Sequence, residues 1–170
     1  MPLSGAMLAV SAFGELTSAL DLGTGKAAQS LSRSMSLASG TGAGKADRIF
    51  SDRRTLAASA SEDLDLAGVL LDAFGATITF ARVKGLVIAA AAGNSNNVVV
   101  GAAAATPWAT LLGATHTLTL RPGAFLAVGT GAADAIGYAV TASTGDLLKV
   151  ANSGAGTSVT YDIHIIGSST

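Results

Sequence analysis

Apolar and polar residues alternate along much of this chain with a period of two. The clearest case is the C-terminal segment. Val159, Tyr161, Ile163 and Ile165 share one parity, and Thr160, Asp162, His164 and Ile166 the other. Successive side chains of a strand point to opposite faces, so this pattern predicts a strand with one face in a core and the other toward water or a neighbour. The same alternation recurs at 62–66, at 76–82 (Ile78 and Phe80 against Thr77 and Thr79), at 116–120 and at 135–141. Further strands are expected over 54–60, 84–90, 97–100, 125–128 and 147–150. Those at 84–90 and 97–100 are expected to pair as a hairpin across the polar island 93–97. Residues 67–73 read as one or two helical turns, and Pro107-Trp108 opens a short turn or helix. Arg121-Pro122-Gly123-Ala124 has Pro at the second and Gly at the third position of a turn. No long amphipathic helix is predicted. Roughly eight to ten short strands, separated by Gly, Asn, Ser and Pro, define an all-β chain with a β-sandwich or jelly-roll-like fold.

The N-terminal region differs. Leu31, Arg33, Met35 and Leu37 alternate with Ser32, Ser34 and Ser36, a strand pattern. The glycine-rich pieces Gly23-Thr24-Gly25 and Gly40-Thr41-Gly42 read as flexible linkers. Residues 1–45 are therefore expected to form an extended arm with short strands, ordered by packing on the body or on a neighbour. Residues 46–170 are expected to form the sandwich domain.

Charge sharpens the picture. Of 170 residues only 12% are charged, and 49% are apolar. An ordinary globular protein carries about 25% charge. Residues 1–85 hold 8 basic and 8 acidic side chains, whereas 86–170 hold 2 and 3. The stretch 85–120 has no charge at all, which suits strands buried in a sandwich or against other subunits. A surface so poor in charge has little colloidal repulsion, and covering it with further copies is one physical remedy. The rival is a monomer coated in Ser, Thr, Gly and Asn. Mean hydropathy is +0.52, but no uninterrupted apolar run reaches the roughly 20 residues of a spanning helix. One Trp and two Tyr do not furnish the aromatic girdles of a membrane barrel. The first basic residue is Lys26, so no signal peptide is read at the N-terminus. There is no cysteine, hence no disulfide or thiolate site.

Few motifs suggest chemistry. Gly40-Thr41-Gly42-Ala43-Gly44-Lys45-Ala46 looks like a phosphate-binding loop, but Ser39 and Ala46 stand where a glycine and a magnesium-binding hydroxyl are needed. A linker is the better account. Gly23-Thr24-Gly25-Lys26 lacks the third glycine and the preceding strand of a dinucleotide fingerprint. His116 and His164, with Asp162, would approach a zinc ligand set only if their strands were neighbours. Ser is plentiful without a nucleophile-elbow pattern. Glu62, Asp63 and Asp65 form an acidic knot that two-carboxylate glycoside hydrolysis could use, though sugar-binding aromatics are scarce. A charged strand edge that blocks stray pairing is the plainer reading. Arg48, Arg53 and Arg54 interleave with Asp47 and Asp52, which suits pairing between strands or subunits better than nucleic-acid binding. No catalytic, cofactor or metal residue is assigned, and neither nucleic acid nor membrane is expected as a partner.

Several segments together resemble a family. Ala46-Asp47-Arg48-Ile49-Phe50, Arg54-Thr55-Leu56-Ala57-Ala58-Ser59, Glu62-Asp63-Leu64-Asp65-Leu66-Ala67-Gly68 and Asp72-Ala73-Phe74-Gly75-Ala76 are similar to a run in small structural proteins of tailed bacteriophages. So are Arg121-Pro122-Gly123, Gly137-Tyr138-Ala139-Val140-Thr141, Thr144-Gly145-Asp146-Leu147-Leu148-Lys149-Val150 and Tyr161-Asp162-Ile163. The resemblance covers about 15–170. It implies a virion protein and assigns no catalytic residue. The expectation is a capsid decoration or cement protein, not an enzyme, bound to the major capsid protein or other virion proteins on the capsid surface after assembly in the host cytoplasm. Self-association is expected, most simply as a trimer. Leu31, Arg33, Met35, Leu37, Arg48, Arg53, Arg54 and Trp108 are the expected contact residues. The alternatives are a tail or fibre component that contacts the host surface and a carboxylate-dependent glycan hydrolase.

Overall fold

A computed structural model describes residues 3–170. Two long strands, β1 (Gly5–Leu20) and β2 (Gly23–Ser39), form an antiparallel hairpin, and β3 (Lys45–Ala46) pairs in parallel with the foot of β2. The rest of the chain follows as β4 (Arg48–Leu56), β5 (Ser61–Asp65), β6 (Leu70–Leu71), β7 (Thr77–Ile78), β8 (Arg82–Ala90) and β9 (Val98–Gly101). A single helical turn, α1 (Ala109–Leu112), precedes β10 (Thr117–Leu120), β11 (Phe125–Gly129), β12 (Tyr138–Ala139), β13 (Leu147–Asn152) and β14 (Val159–Ser168). The chain is all-β, built from several sheets packed together. One sheet has the order β10-β9-β13-β5. The other has the order β11-β8-β14-β4, with β12 also on β8.

The inner faces of these two sheets make the main core. Val159, Tyr161, Ile163 and Ile165 of β14, with Leu86 and Ile88 of β8, pack toward Val98, Val100, Leu148, Val150 and Leu64 of the opposing sheet. The alternation of the last strand thus identifies its inner face: those four residues are at most 2% exposed. Ile78 and Phe80 enter the same core, as their shared parity predicts.

Three expected elements are corrected, and a fourth, the strand at 135–141, shrinks to β12, because Asp134 Oδ1 accepts from the Ile136 and Gly137 amides and turns the chain, leaving Ile136 exposed. Strands 84–90 and 97–100 do not form a hairpin. β8 pairs with β11, β12 and β14, whereas β9 lies in the other sheet beside β10 and β13. The polar island between them is a crossover that stitches the two sheets together. Asn94 accepts from Thr160 N (2.8 Å) and donates to Thr160 O (2.8 Å). The Asn96 side-chain amide donates to Asn152 Oδ1, Gly154 O and Thr157 O. Asn152 is buried; its amide nitrogen donates to Ala57 O and Thr157 O, and its oxygen accepts from Asn96 and Gly154 N. Every polar group of that side chain is matched, as burial demands. The second correction is at 67–73, where the two-residue pairing of β6 with β7 replaces helical turns. Asp65 Oδ1 accepts the Ala67 amide at 2.8 Å, an Asx turn that competes with a helix start. The third is at 54–60. The strand begins earlier, at Arg48, and 57–60 is a turn closed by Ala60 N on Ala57 O. Interleaved charges at 47–54 hide its alternation, in which Phe50 and Leu56 face the core.

The expected turn at 121–124 is present. Ala124 N donates to Arg121 O at 2.8 Å, and Gly123 has φ +77°, a conformation that favours glycine.

Candidate interaction surface

The hairpin arm is the feature without a counterpart in the body. Its ladder runs in unbroken register from Gly5↔Ala38 to Leu20↔Gly23. Directly paired residues lie on one face of a sheet. One face therefore carries Ala6, Leu8, Val10, Ala12, Leu16 and Leu20 with Leu37, Met35, Arg33, Leu31 and Ala27. The other carries the serines of 30–36, Phe13, Thr17 and the Glu15–Lys26 ion pair at 2.9 Å. Where short strands were expected, the arm is one long amphipathic ribbon.

Its apolar face is docked only at the foot. Met35, Leu37, Ala46 and Ile166 form a second small core, with Leu8, Ala6 and Ile49 against it. Ile166 belongs to the outer face of β14, so the foot of the arm lies on the outside of the β11-β8-β14-β4 sheet. The contact needs a flat surface. A Cβ on Gly85 would sit 3.3 Å from Met35 Cε, and one on Gly129 would sit 3.0 Å from Leu8 Cδ2. Gly85 and Gly129 are cross-strand partners, so together they make a saddle for these two side chains. Beyond Gly129 the ribbon runs past the sheet edge over a cleft of about 420 Å³, lined by Leu8, Val10, Leu31, Arg33, Met35 and Ala127. Farther out, Leu16 is 68% and Leu31 57% exposed.

The root of the arm is held by a buried lysine. Register between β8 and β14 shifts at Ile166/Gly167 and leaves Lys84 without a cross-strand partner. Its ammonium donates to Gly42 O at 2.6 Å and to Lys45 O at 2.7 Å, with Thr41 O at 3.4 Å. Burial, then the nearby Arg82, pushes the Lys84 pKa below its usual range. The glycine-rich segment 40–45, expected as a flexible linker, is thus strapped to the body. Its carbonyls converge on a cation, whereas a phosphate cradle presents amide N–H groups.

The other expected contact residues lie apart from one another. Met35 and Leu37 are covered by the chain itself, while Leu31 and Arg33 lie on the exposed run of the arm. Trp108 is buried; its Nε1 donates to Ala139 O at 2.8 Å, and its ring meets Tyr138 edge-on. Arg48 bonds Asp47, which also accepts from Ser169 N and Oγ. Arg53 forms a two-pronged pair with Asp162 across β4 and β14, at 2.6 and 2.9 Å. That pair holds the Asp162 carboxyl below its usual range. Arg54 donates to Glu62 at 2.6 Å, lies 3.1 Å from Asp52, and stacks over the Phe50 ring.

The acidic knot does not converge on a site. Glu62 is held by Arg54 and by the Tyr161 hydroxyl at 2.7 Å. Burial, then this carboxylate, raises the Tyr161 pKa far above normal, so the phenol stays protonated. Asp63 stands opposite Lys149, and Asp65 caps a turn. His164 is half-buried on β14, and burial lowers its pKa; His116 is exposed beside the other sheet. No group of three His, Asp or Glu positioned for a metal occurs among the described residues. Among the described residues no helix is long and apolar enough to cross a membrane.

The surface missed by sequence reading is the outer sheet face beside the arm's foot. Cross-strand register aligns Gly129–Gly85–Ile166–Ile49, then Ala127–Val87–His164–Ser51, then Phe125–Ala89–Asp162–Arg53. The first row is covered by the foot. The second and third are half-buried or exposed, and their Val87, Ala89, His164, Ser51, Asp162 and Arg53 border a shallow hollow of about 590 Å³. No protein-family model, curated protein or solved structure matches this chain.

Proposed function

We propose that this chain is a structural protein of a tailed-phage virion, a capsid decoration protein whose body is a jelly roll. Taken in chain order and lettered B to I, the eight main strands β4, β5, β8, β9, β10, β11, β13 and β14 give sheets B-I-D-G and C-H-E-F. This is the strand order of the jelly roll, an architecture common in viral capsid proteins. The observation that carries the reading is the arm: a rigidly rooted two-stranded ribbon whose apolar face is uncovered along most of its length. A two-stranded hairpin is marginal alone and needs a third layer, so this ribbon suits a protein that works by packing on others. The carboxylates, each held by its own partner or turn, favour a mechanical role over hydrolysis. In this role the body sits on the capsid lattice, the major capsid protein is its partner, and copies associate with one another, most simply as trimers.

Imaging intact virions that carry a labelled form of the chain tests this. Label in register with the head lattice is the expected result. Label confined to the tail would replace decoration by a tail or fibre role, and its absence from particles would remove the virion reading.

A further inference from the structure

We infer that the arm works by its edges: β1 of one copy pairs along the outer edge of β2 of the next, so that the arms of neighbouring copies form one continuous sheet. The inference rests on the reading of this protein as self-assembling, but not on where in a virion it sits.

A strand at a sheet edge presents a row of unpaired N–H and C=O groups, and proteins guard such rows by keeping edge strands short or charged. The body follows that rule. Its edge strands β10 and β11 have four and five residues. At the opposite edges, β5 carries three carboxylates in five residues, and β4 carries four charged side chains in nine. The arm departs from it. Its two strands, of 16 and 17 residues, contain no proline, no register shift and only three charges. Two of these, Glu15 and Lys26, pair with each other across the hairpin. β3 covers only Ala38 and Ser39 of β2. Among the described residues the outer edge of β2 is therefore unpaired over 23–37, and that of β1 over its whole length.

The turn fixes which groups are left over. Leu20 and Gly23 close a two-residue loop, so they exchange hydrogen bonds, and every second pair down the ladder does the same. The odd-numbered residues from Ser11 to Ala19 therefore aim N–H and C=O outward from β1. The even-numbered residues from Thr24 to Ser32 do so from β2. Arms that project side by side in one direction bring the outward row of β1 against a neighbour's outward row on β2, antiparallel as within one arm. Each arm gives one edge and receives on the other, so a cyclic set closes and leaves no edge. Three copies, the number proposed above, make six strands. The faces agree with closure. The serines and the ion pair lie on one face and belong outside. On the other, the arm's own body borders the ribbon as far as Leu31. Beyond it Leu16 stands opposite Ala27, and Leu20 opposite Gly23. One large and one small side chain in each pair suits the narrow interior of a small barrel. At roughly 3.3 Å per residue the edge from Val10 to Leu20 is about 35 Å long. Two such edges and the inward face beyond Leu31, each about 10 Å across, take about 900 Å² from each copy, shared between its two neighbours. A standard interface takes roughly 800 Å² from a partner.

Amide exchange of the full native chain, read by NMR above and below its assembly concentration, tests this. In the dilute monomer, protection should alternate: Gly14, Leu16 and Ser18 slow, Phe13, Glu15 and Thr17 fast. In the oligomer that alternation should vanish, with the odd-numbered amides as slow as the even ones. T17P removes one outward N–H and should raise the concentration needed for assembly about tenfold, with the melting of the body unchanged. The chain has no native cysteine, so disulfides report the strand order. T17C, mixed in turn with K26C, A28C and S30C and oxidised, should give a mixed dimer with one of them and none with itself. Self-linking of T17C, which signals β1 against β1, overturns the inference. So does an oligomer whose odd-numbered arm amides stay fast, the lack of any mixed dimer, T17P assembling like the native chain, or a native chain that sediments as a monomer throughout. A monomer that still enters particles leaves the virion reading standing. An oligomer with uniform arm protection that is absent from particles removes only the virion reading.

Discussion

The body and the arm are written in the same alternating code and meet opposite fates. In the body, Val100, Val150 and Ile163 face a second sheet and are fully buried. In the arm, Leu16, Leu20 and Leu31 have the same spacing, yet each is more than half exposed. Alternation specifies a strand and its two faces; it does not specify what covers them. In the body the cover comes from the long-range pairing of β4 with β14 and β5 with β13, which closes two layers. In the arm the cover found among the described residues lies under its foot, the Gly85–Gly129 saddle with Ile166, Ile49 and Ala46.

This contrast sets the largest expected effect. Ile163→Ala removes buried volume where two layers interlock and should cost about 2–5 kcal/mol. Leu16→Ala removes a side chain of similar size from the free arm face and should stay within about 0.5 kcal/mol for the isolated monomer. Chemical denaturation of both variants at low protein concentration measures the difference. Equal losses would mean that the arm is covered within its own copy.

The strap at the junction comes next. Lys84→Met keeps much of the chain length but leaves the carbonyls of Gly42 and Lys45 without their donor. A loss of about 1–3 kcal/mol is expected. Amide exchange should accelerate in 40–45 and at the arm's foot, with the strands of the main core unchanged. A smaller effect belongs to the core edge. Tyr161→Phe removes one donor from Glu62 while Arg54 remains, which should cost about 1 kcal/mol by thermal melting.

How much of this was legible follows from the same contrast. The inner faces of β14, β5 and β7 were readable because period-two alternation and half-burial go together in a two-layered fold. The crossing of 91–97 from one sheet to the other was not. Nothing local separates a polar hairpin loop from a polar crossover; the difference lies in Asn94 meeting Thr160 and Asn96 meeting Asn152, far away in the chain. The strand at 48–56 was obscured because its charges find partners on neighbouring strands, Arg53 with Asp162 and Arg54 with Glu62. Residues 31–37 were legible as a strand. The division within that strand, Met35 and Leu37 docked while Leu31 and Arg33 are free, depends on glycines at 85 and 129 that only the fold brings beneath it. Lys84, an ordinary lysine in sequence, gave no signal, because its role arises from a register shift and a loop that is distant along the chain.

The smallest effect concerns the Arg53–Asp162 pair, and it reports on the third row directly. The guanidinium beside Asp162 holds the folded carboxyl below its ordinary value of 3.8. A carboxyl depressed in the folded state contributes stability that is fully present above the unfolded value and is lost as pH falls through the lower folded one. An NMR titration of the Asp162 side chain at low protein concentration should therefore give a midpoint below 3.8, and Arg53→Gln should return it toward that value. The pair is exposed, so added salt should weaken the shift in the monomer. A midpoint that stays equally low in Arg53→Gln, or that ignores added salt, would mean that something other than this exposed pair holds the carboxyl down.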